Sequence, residues 1–258
     1  MNFTEAQITA LIAAWLWPLV RVAALVSSAP VIGTRAVPAR IRVLLAVCVT
    51  AVLVPVLPPA PVIEPISAVG ALVTMQQVMI GLVMGLSLRL IFTVVEFAGQ
   101  VLGQQMGLGF AAMVDPQSGA QVPVVGQFYV MLTTLLFLSV NGHLLALHAL
   151  AESFRTLPIG MAGVSQQGLG VLLQWGGELF LHATVIALPT ITALLIVNLG
   201  YGVLSRTAPQ LHIFAVGIPI TVIAGAVLMG VTLPALPQHV QALMDLAFLA
   251  AREILTGG

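Results

Sequence analysis

Long apolar runs, separated by short polar or proline-rich breaks, dominate the chain. The first run, 8–31, is long enough to span a bilayer, since about 20 apolar residues cross the hydrocarbon. Pro18 predicts a kink in it, and Arg21 lies inside it. Thr4 and Gln7 fit a capping box at its start. A second run, 43–57, is shorter and ends at Leu-Pro-Pro-Ala-Pro. The third, 66–96, predicts a helix of roughly 46 Å at 1.5 Å per residue. That exceeds the ~30 Å thickness of the hydrocarbon. Gln76, Gln77, Arg89 and Glu96 interrupt this run, and a helix buried in protein satisfies such groups better than one in lipid. A fourth run, 124–150, breaks at Asn141-Gly142-His143. Residues 152–170 read as a loop punctuated by Pro158, Gly160 and Gly163, with Ser165 placed to cap the next helix. The fifth run, 169–204, holds Gly176, Gly177, Glu178, His182 and Pro189, which predicts a bent helix. A sixth, 213–233, follows the turn at 205–212. In the tail, 238–255, Val240, Leu243, Met244, Ala247, Ala251, Ile254 and Leu255 recur at three and four, with Gln241, Asp245 and Arg252 between. That spacing predicts an amphipathic helix.

The stretch 99–123 orders these runs. Gly99 and Gly103, like Gly81 and Gly85, are four apart and share a helix face where another backbone can come close. Beyond Gly107 the chain reads GLGFAAMVDP, an apolar segment between turn residues. A loop in water is normally polar, because its backbone needs solvent partners. An apolar loop is therefore expected in a protein-lined space. Gly107, Gly109 and Pro116 argue that it is not a continuation of the helix. Two readings follow from the residues. The loop either plugs an opening with Phe110 and Met113, or packs between helices as a re-entrant segment; both satisfy a buried backbone.

Composition narrows the class. Of 258 residues, 60% are hydrophobic and 6% charged, where a soluble domain carries about 25% charged residues. The expected fold class is all-α, an integral membrane-type helical protein with long kinked helices. Three of the eight positive charges, Arg35, Arg40 and Arg42, lie in one link, which places that link on the cytoplasmic side. The first charge is Glu5 and the first apolar run is long, so the N-terminus is expected to be retained rather than cleaved as a signal.

The chain has no lysine, which excludes a Walker A nucleotide site and Schiff-base chemistry. Zero net charge leaves no footprint for nucleic acid. The single Cys48 excludes an internal disulfide. His143 and His148 stand five apart, about 140° around a helix, so they share no metal face. Ser118-Gly119 and the aspartates Asp115 and Asp245 lack the settings of intramembrane proteases, and Asp115-Pro116 reads as turn chemistry. No nucleophile, base and orienter are grouped, so neither an enzyme nor a cofactor is expected. Arg21, Arg89, Glu96, Glu178 and Arg206 remain, as an ion path or as polar contacts between helices or subunits. Sparse acidic and basic groups favour contacts over a path. A small-solute transporter or channel is the competing class.

WPLVRVAALVSSAPVIGTRAVPAR, GQQMGLGFAAMVDPQSG, NGHLLAL, LPIG and LSRTAPQLHIFAVGIP, in this order and spacing, resemble the FliR family of flagellar type III export-gate proteins. The similarity covers nearly the whole chain. The virulence homologue SctT shares the architecture, and the agreement through Arg206, Ala208, Pro209, Gln210 and Gly217 favours the flagellar branch; His212 departs from the usual Asn or Ser. The resemblance implies a FliP-like segment over 1–165 fused to a FliQ-like helical hairpin and amphipathic helix over 166–258. It implies a hetero-oligomeric pore with FliP and FliQ, near FlhB and FlhA, at the bacterial inner membrane in the flagellar basal body. Unfolded flagellar subunits would pass through it. It further implies that the loop 106–122 plugs the pore, with Met106, Gly107, Phe110, Met113, Val114 and Asp115 as the gate residues.

Overall fold

The computed structural model describes residues 5–34, 36–110, 124–160, 163–207 and 217–256. Most of these are helical, with no strand among them. The helices are α1 (Glu5–Ser28), α2 (Ala39–Leu53), α3 (Ala68–Gln105), α4 (Val124–Ser139), α5 (Gly142–Thr156), α6 (Gln166–Thr207), α7 (Ile218–Thr232) and α8 (Leu236–Thr256). Five helical stretches are long and apolar enough to cross a membrane, or six if the pair α4 and α5, bent by 66°, is one broken span.

The ends of these helices follow local chemistry. Ser67 caps α3: its Oγ accepts the N–H of Gly70 at 3.0 Å and donates to the Glu64 carbonyl at 2.6 Å. Ser165 likewise caps α6 by accepting the N–H of Gly168 at 2.9 Å. The bend between α4 and α5 falls at Asn141, whose φ of 58° few residues but Asn and Gly tolerate. Helix α3 runs 38 residues and does not stop at Glu96. Glu96 stays within it, accepting from Gln100 Nε2 one turn on at 3.2 Å. Helix α5 also reaches further than a loop over 152–170 allows. Its buried stripe of Gly142, Ala146, Leu150, Ser153 and Phe154 keeps helical spacing up to the last turn. Helix α6 continues unbroken through Gly176, Gly177 and Pro189.

The chain divides into two compact units, each assembled from separated segments. Unit one holds Met1–Ile91, Val140–Gly177 and Met244–Gly258. Its core joins Val22, Leu25 and Val26 of α1 to Ile80 and Met84 of α3, Leu150 and Phe154 of α5, and Leu255 of α8. A smaller cluster sets Ala13 and Trp17 against Val73. Here α1 and α3 lie side by side and parallel, since the pairings Trp17 with Val73 and Arg21 with Gln77 rise together along both helices. All seven apolar tail positions named above are buried, five of them, from Met244 to Leu255, in this unit.

Unit two holds Phe92–Ser139 and Glu178–Leu243. Aromatic edge contacts tie it together: Phe92 meets Phe137 at 5.6 Å between ring centroids, and Phe97 meets Phe180 at 5.4 Å. Thr190 and Thr232 share a hydroxyl contact of 3.2 Å between α6 and the end of α7.

Candidate functional site

The end of α3 is fixed before the apolar loop begins. Glycines make this possible by close approach. A Cβ on Gly99 would lie 2.8 Å from the Cα of Gly126 and 2.9 Å from the Val125 carbonyl, so α3 and α4 touch backbone to backbone there. A Cβ on Gly103 would meet the Val125 side chain at an ordinary 3.4 Å. One turn on, Met106 is 4% exposed. Its side chain lies across Gly225 of α7, with Sδ and Cε 2.8 and 2.9 Å from where a Cβ on Gly225 would stand. Its carbonyl accepts the Thr221 hydroxyl at 3.0 Å. Thr221 and Gly225 are four apart and present one face of α7 to Met106.

Gly107 then takes φ of 80° and turns the chain out of the helix, a conformation that costs glycine nothing. A short 3-10 turn, Leu108–Phe110, follows, with Leu108 at 37% exposed. The candidate gate residues Met113, Val114 and Asp115 lie outside the described residues, and of Phe110 only the backbone is described.

The second feature is Arg21. It is fully buried, and every described partner is neutral. Nε donates to Gln77 Oε1 at 2.8 Å. Nη1 donates to the Ser153 carbonyl at 2.8 Å and to Ser153 Oγ at 3.1 Å, and Nη2 to the Leu157 carbonyl at 2.9 Å. The guanidinium carbon stands 4.1 Å from the centroid of Phe154. Ser153 and Leu157 lie at the C-terminal end of α5, where unpaired carbonyls and the helix dipole attract a cation. The arginine thus caps α5 and ties it to α1 and α3. The small-residue contact continues beside it. A Cβ on Gly81 would meet the Arg21 carbonyl and, at 2.7 Å, the Cβ of Ala24; one on Gly85 would meet Ser28 Oγ.

None of the other charged candidates is a partner of Arg21. Arg89 is exposed. Glu96 is half-buried beside Gln100. Glu178 faces His182 Nε2 at 3.9 Å along α6. Arg206 is exposed and lines a shallow groove with Leu195, Asn198, Leu199, Gly202 and Val203. Among the described residues no three His, Cys, Asp or Glu side chains gather as metal ligands. The residues that sequence reasoning missed are Thr221, Gly225, Ser153 and Leu157. Each acts on a partner more than a hundred positions away, so no local pattern marks it.

The family model for bacterial export proteins, family 1, matches residues 12–247. The flagellar biosynthetic protein FliR of Pectobacterium carotovorum subsp. carotovorum is 39% identical over 258 residues, covering 99% of this chain and 98% of that protein. The FliR of Escherichia coli K12 is 38% identical over 257 residues, with the same coverage. That of Bacillus subtilis 168 is 28% identical over 245 residues, covering 94% of each.

Proposed function

Because this chain belongs to family 1 of the bacterial export proteins, we propose that it contributes to the gate through which unfolded flagellar subunits leave the cytoplasm. In this role it is a membrane-embedded, structural component of flagellar type III export. In the finer reading it assembles with FliP and FliQ, next to FlhB and FlhA, in the inner membrane of the basal body. Residues 1–165 act as a FliP-like subunit, and residues 166–258 as a FliQ-like hairpin with its amphipathic helix. The chain performs no catalysis, and the energy for transport comes from other components.

The gate is the loop 106–122, with Met106 and Gly107 at its base and the largely apolar segment 108–115 beyond them. One observation carries this reading: the base of the segment is clamped while the segment itself is apolar. Met106 is held on α7 by Gly225 and Thr221, and Gly107 redirects the chain at once. A stopper needs a stem held in place and apolar bulk beyond it. Phe110, Met113 and Val114 supply apolar bulk that excludes water and ions, and a passing polypeptide displaces it. The dipeptide Asp115-Pro116 that ends the segment has the composition of a turn.

The test is crosslinking. Cys48 is replaced by alanine, single cysteines are placed at 110 or 113, and an export substrate is arrested in transit. The gate reading expects crosslinks at both positions. A scaffold that never lines the pore gives none.

A further inference from the structure

We propose that α2 is a lipid-facing anchor that selects anionic phospholipid through Arg40 and Arg42. The observation is an uncovered apolar face that begins beside two arginines. Ile41, Val43, Leu44, Val47 and Val52 are all 41% exposed or more, and Cys48 is exposed among them. At 100° per residue these positions cover about half the circumference of the helix. Only Ala46 and Thr50 are buried, and Thr50 returns its hydroxyl to the Ala46 carbonyl at 2.7 Å. The open face therefore offers no hydrogen bond.

Its chemistry fits acyl chains better than a second helix. Helices that meet inside membranes favour small residues and polar groups at the contact. The open face of α2 is mostly bulky and branched, with Ile41, Val43, Leu44, Val47 and Val52 exposed and Ala51 a small residue among them. The apolar stretch Ala39–Val56 has 18 residues, about 27 Å at 1.5 Å per residue, close to the ~30 Å hydrocarbon.

One end of that stretch is positively charged and unbalanced. Arg40 is exposed. Arg42 is half-buried, and its Nε, itself shielded from the surface, has no hydrogen-bond partner among the described residues. Neither arginine forms an ion pair among those residues. From residue 6 to residue 63 the sequence holds no acid, and from 43 to 63 no charge of either sign. Both arginines therefore lie at headgroup height and lack a counter-charge, which an anionic lipid phosphate supplies.

Cys48, the chain's single cysteine, reports on this face. The full-length chain is labelled there with bimane and placed in phosphatidylcholine vesicles. Equal fractions of dibrominated phosphatidylglycerol or dibrominated phosphatidylcholine are then added as quenchers. Both should quench the label, the anionic lipid more strongly, each arginine contributing about a fivefold preference. Arg40→Gln with Arg42→Gln should bring the two lipids close to equal, whereas Arg40→Lys with Arg42→Lys should keep the preference. Absence of quenching by either lipid would mean that protein or water covers α2, and would overturn the proposal. Equal quenching in the native chain, which needs no variant, would overturn it as well. This assignment does not depend on the gate reading.

Discussion

Met106 lies across Gly225, with its sulfur 2.8 Å from the point where a Cβ on that glycine would stand. The two residues are far apart in sequence, and the contact fixes the end of α3 on α7 immediately before the chain turns at Gly107. Gly225→Val should therefore push Met106 off α7. Overpacking of this kind costs about 1–3 kcal/mol. The variant should show a lower unfolding midpoint in detergent and reduced export of flagellar subunits. Gly230→Ala is the control: nothing lies within 4 Å of its Cβ, so stability should not fall.

Arg21 is held by a fork of geometry rather than by opposite charge. Arg21→Lys keeps the charge but cannot reach Gln77, Ser153 and Leu157 together. It should lose about 2–4 kcal/mol, because buried acceptors lose their donor and a buried charge loses its cage. Urea or thermal unfolding in detergent checks this. A lysine variant as stable as the parent would show that the carbonyl cage contributes little.

Gly85 and Ser28 are a coupled pair. A Cβ on Gly85 would collide with Ser28 Oγ. Gly85→Ala should therefore destabilise the α1–α3 contact, and adding Ser28→Ala should recover some of the loss. A double-mutant cycle in unfolding free energy should give a coupling of about 0.5–2 kcal/mol. Additive single effects would mean that the helices adjust without regard to the serine.

Much of the fold is legible because it is periodic. The tail declares itself by spacing, and its seven named apolar positions are buried. Asn141 marks the bend between α4 and α5, and Gly107 the end of α3. Helix ends are less legible, and for a common reason. Charge that interrupts an apolar run points to a terminus at Glu96, yet one turn on Glu96 has Gln100 as a partner and the helix continues. Ser67 is inconspicuous beside the prolines around it, although its hydroxyl starts α3.

The candidate site is legible only in part. Arg21 stands out as an arginine inside an apolar run, but Ser153 and Leu157 lie 132 and 136 positions away. A serine and a leucine carry no signature of binding a guanidinium through their carbonyls. Thr221 and Gly225 likewise look like ordinary residues of an apolar helix until α3 is laid on them. Sequence patterns report which face of a helix is buried; they do not report which helix covers it.

The central claim is that an apolar tip on a fixed stem keeps the conduit shut. Removing residues 110–114 from the chain, within its assembled complex, tests it most directly. Ion flux is measured across the inner membrane of cells producing the variant, or across vesicles holding the purified complex. Conductance to small ions should rise clearly with the complex still intact. Conductance equal to that of the parent complex would contradict it.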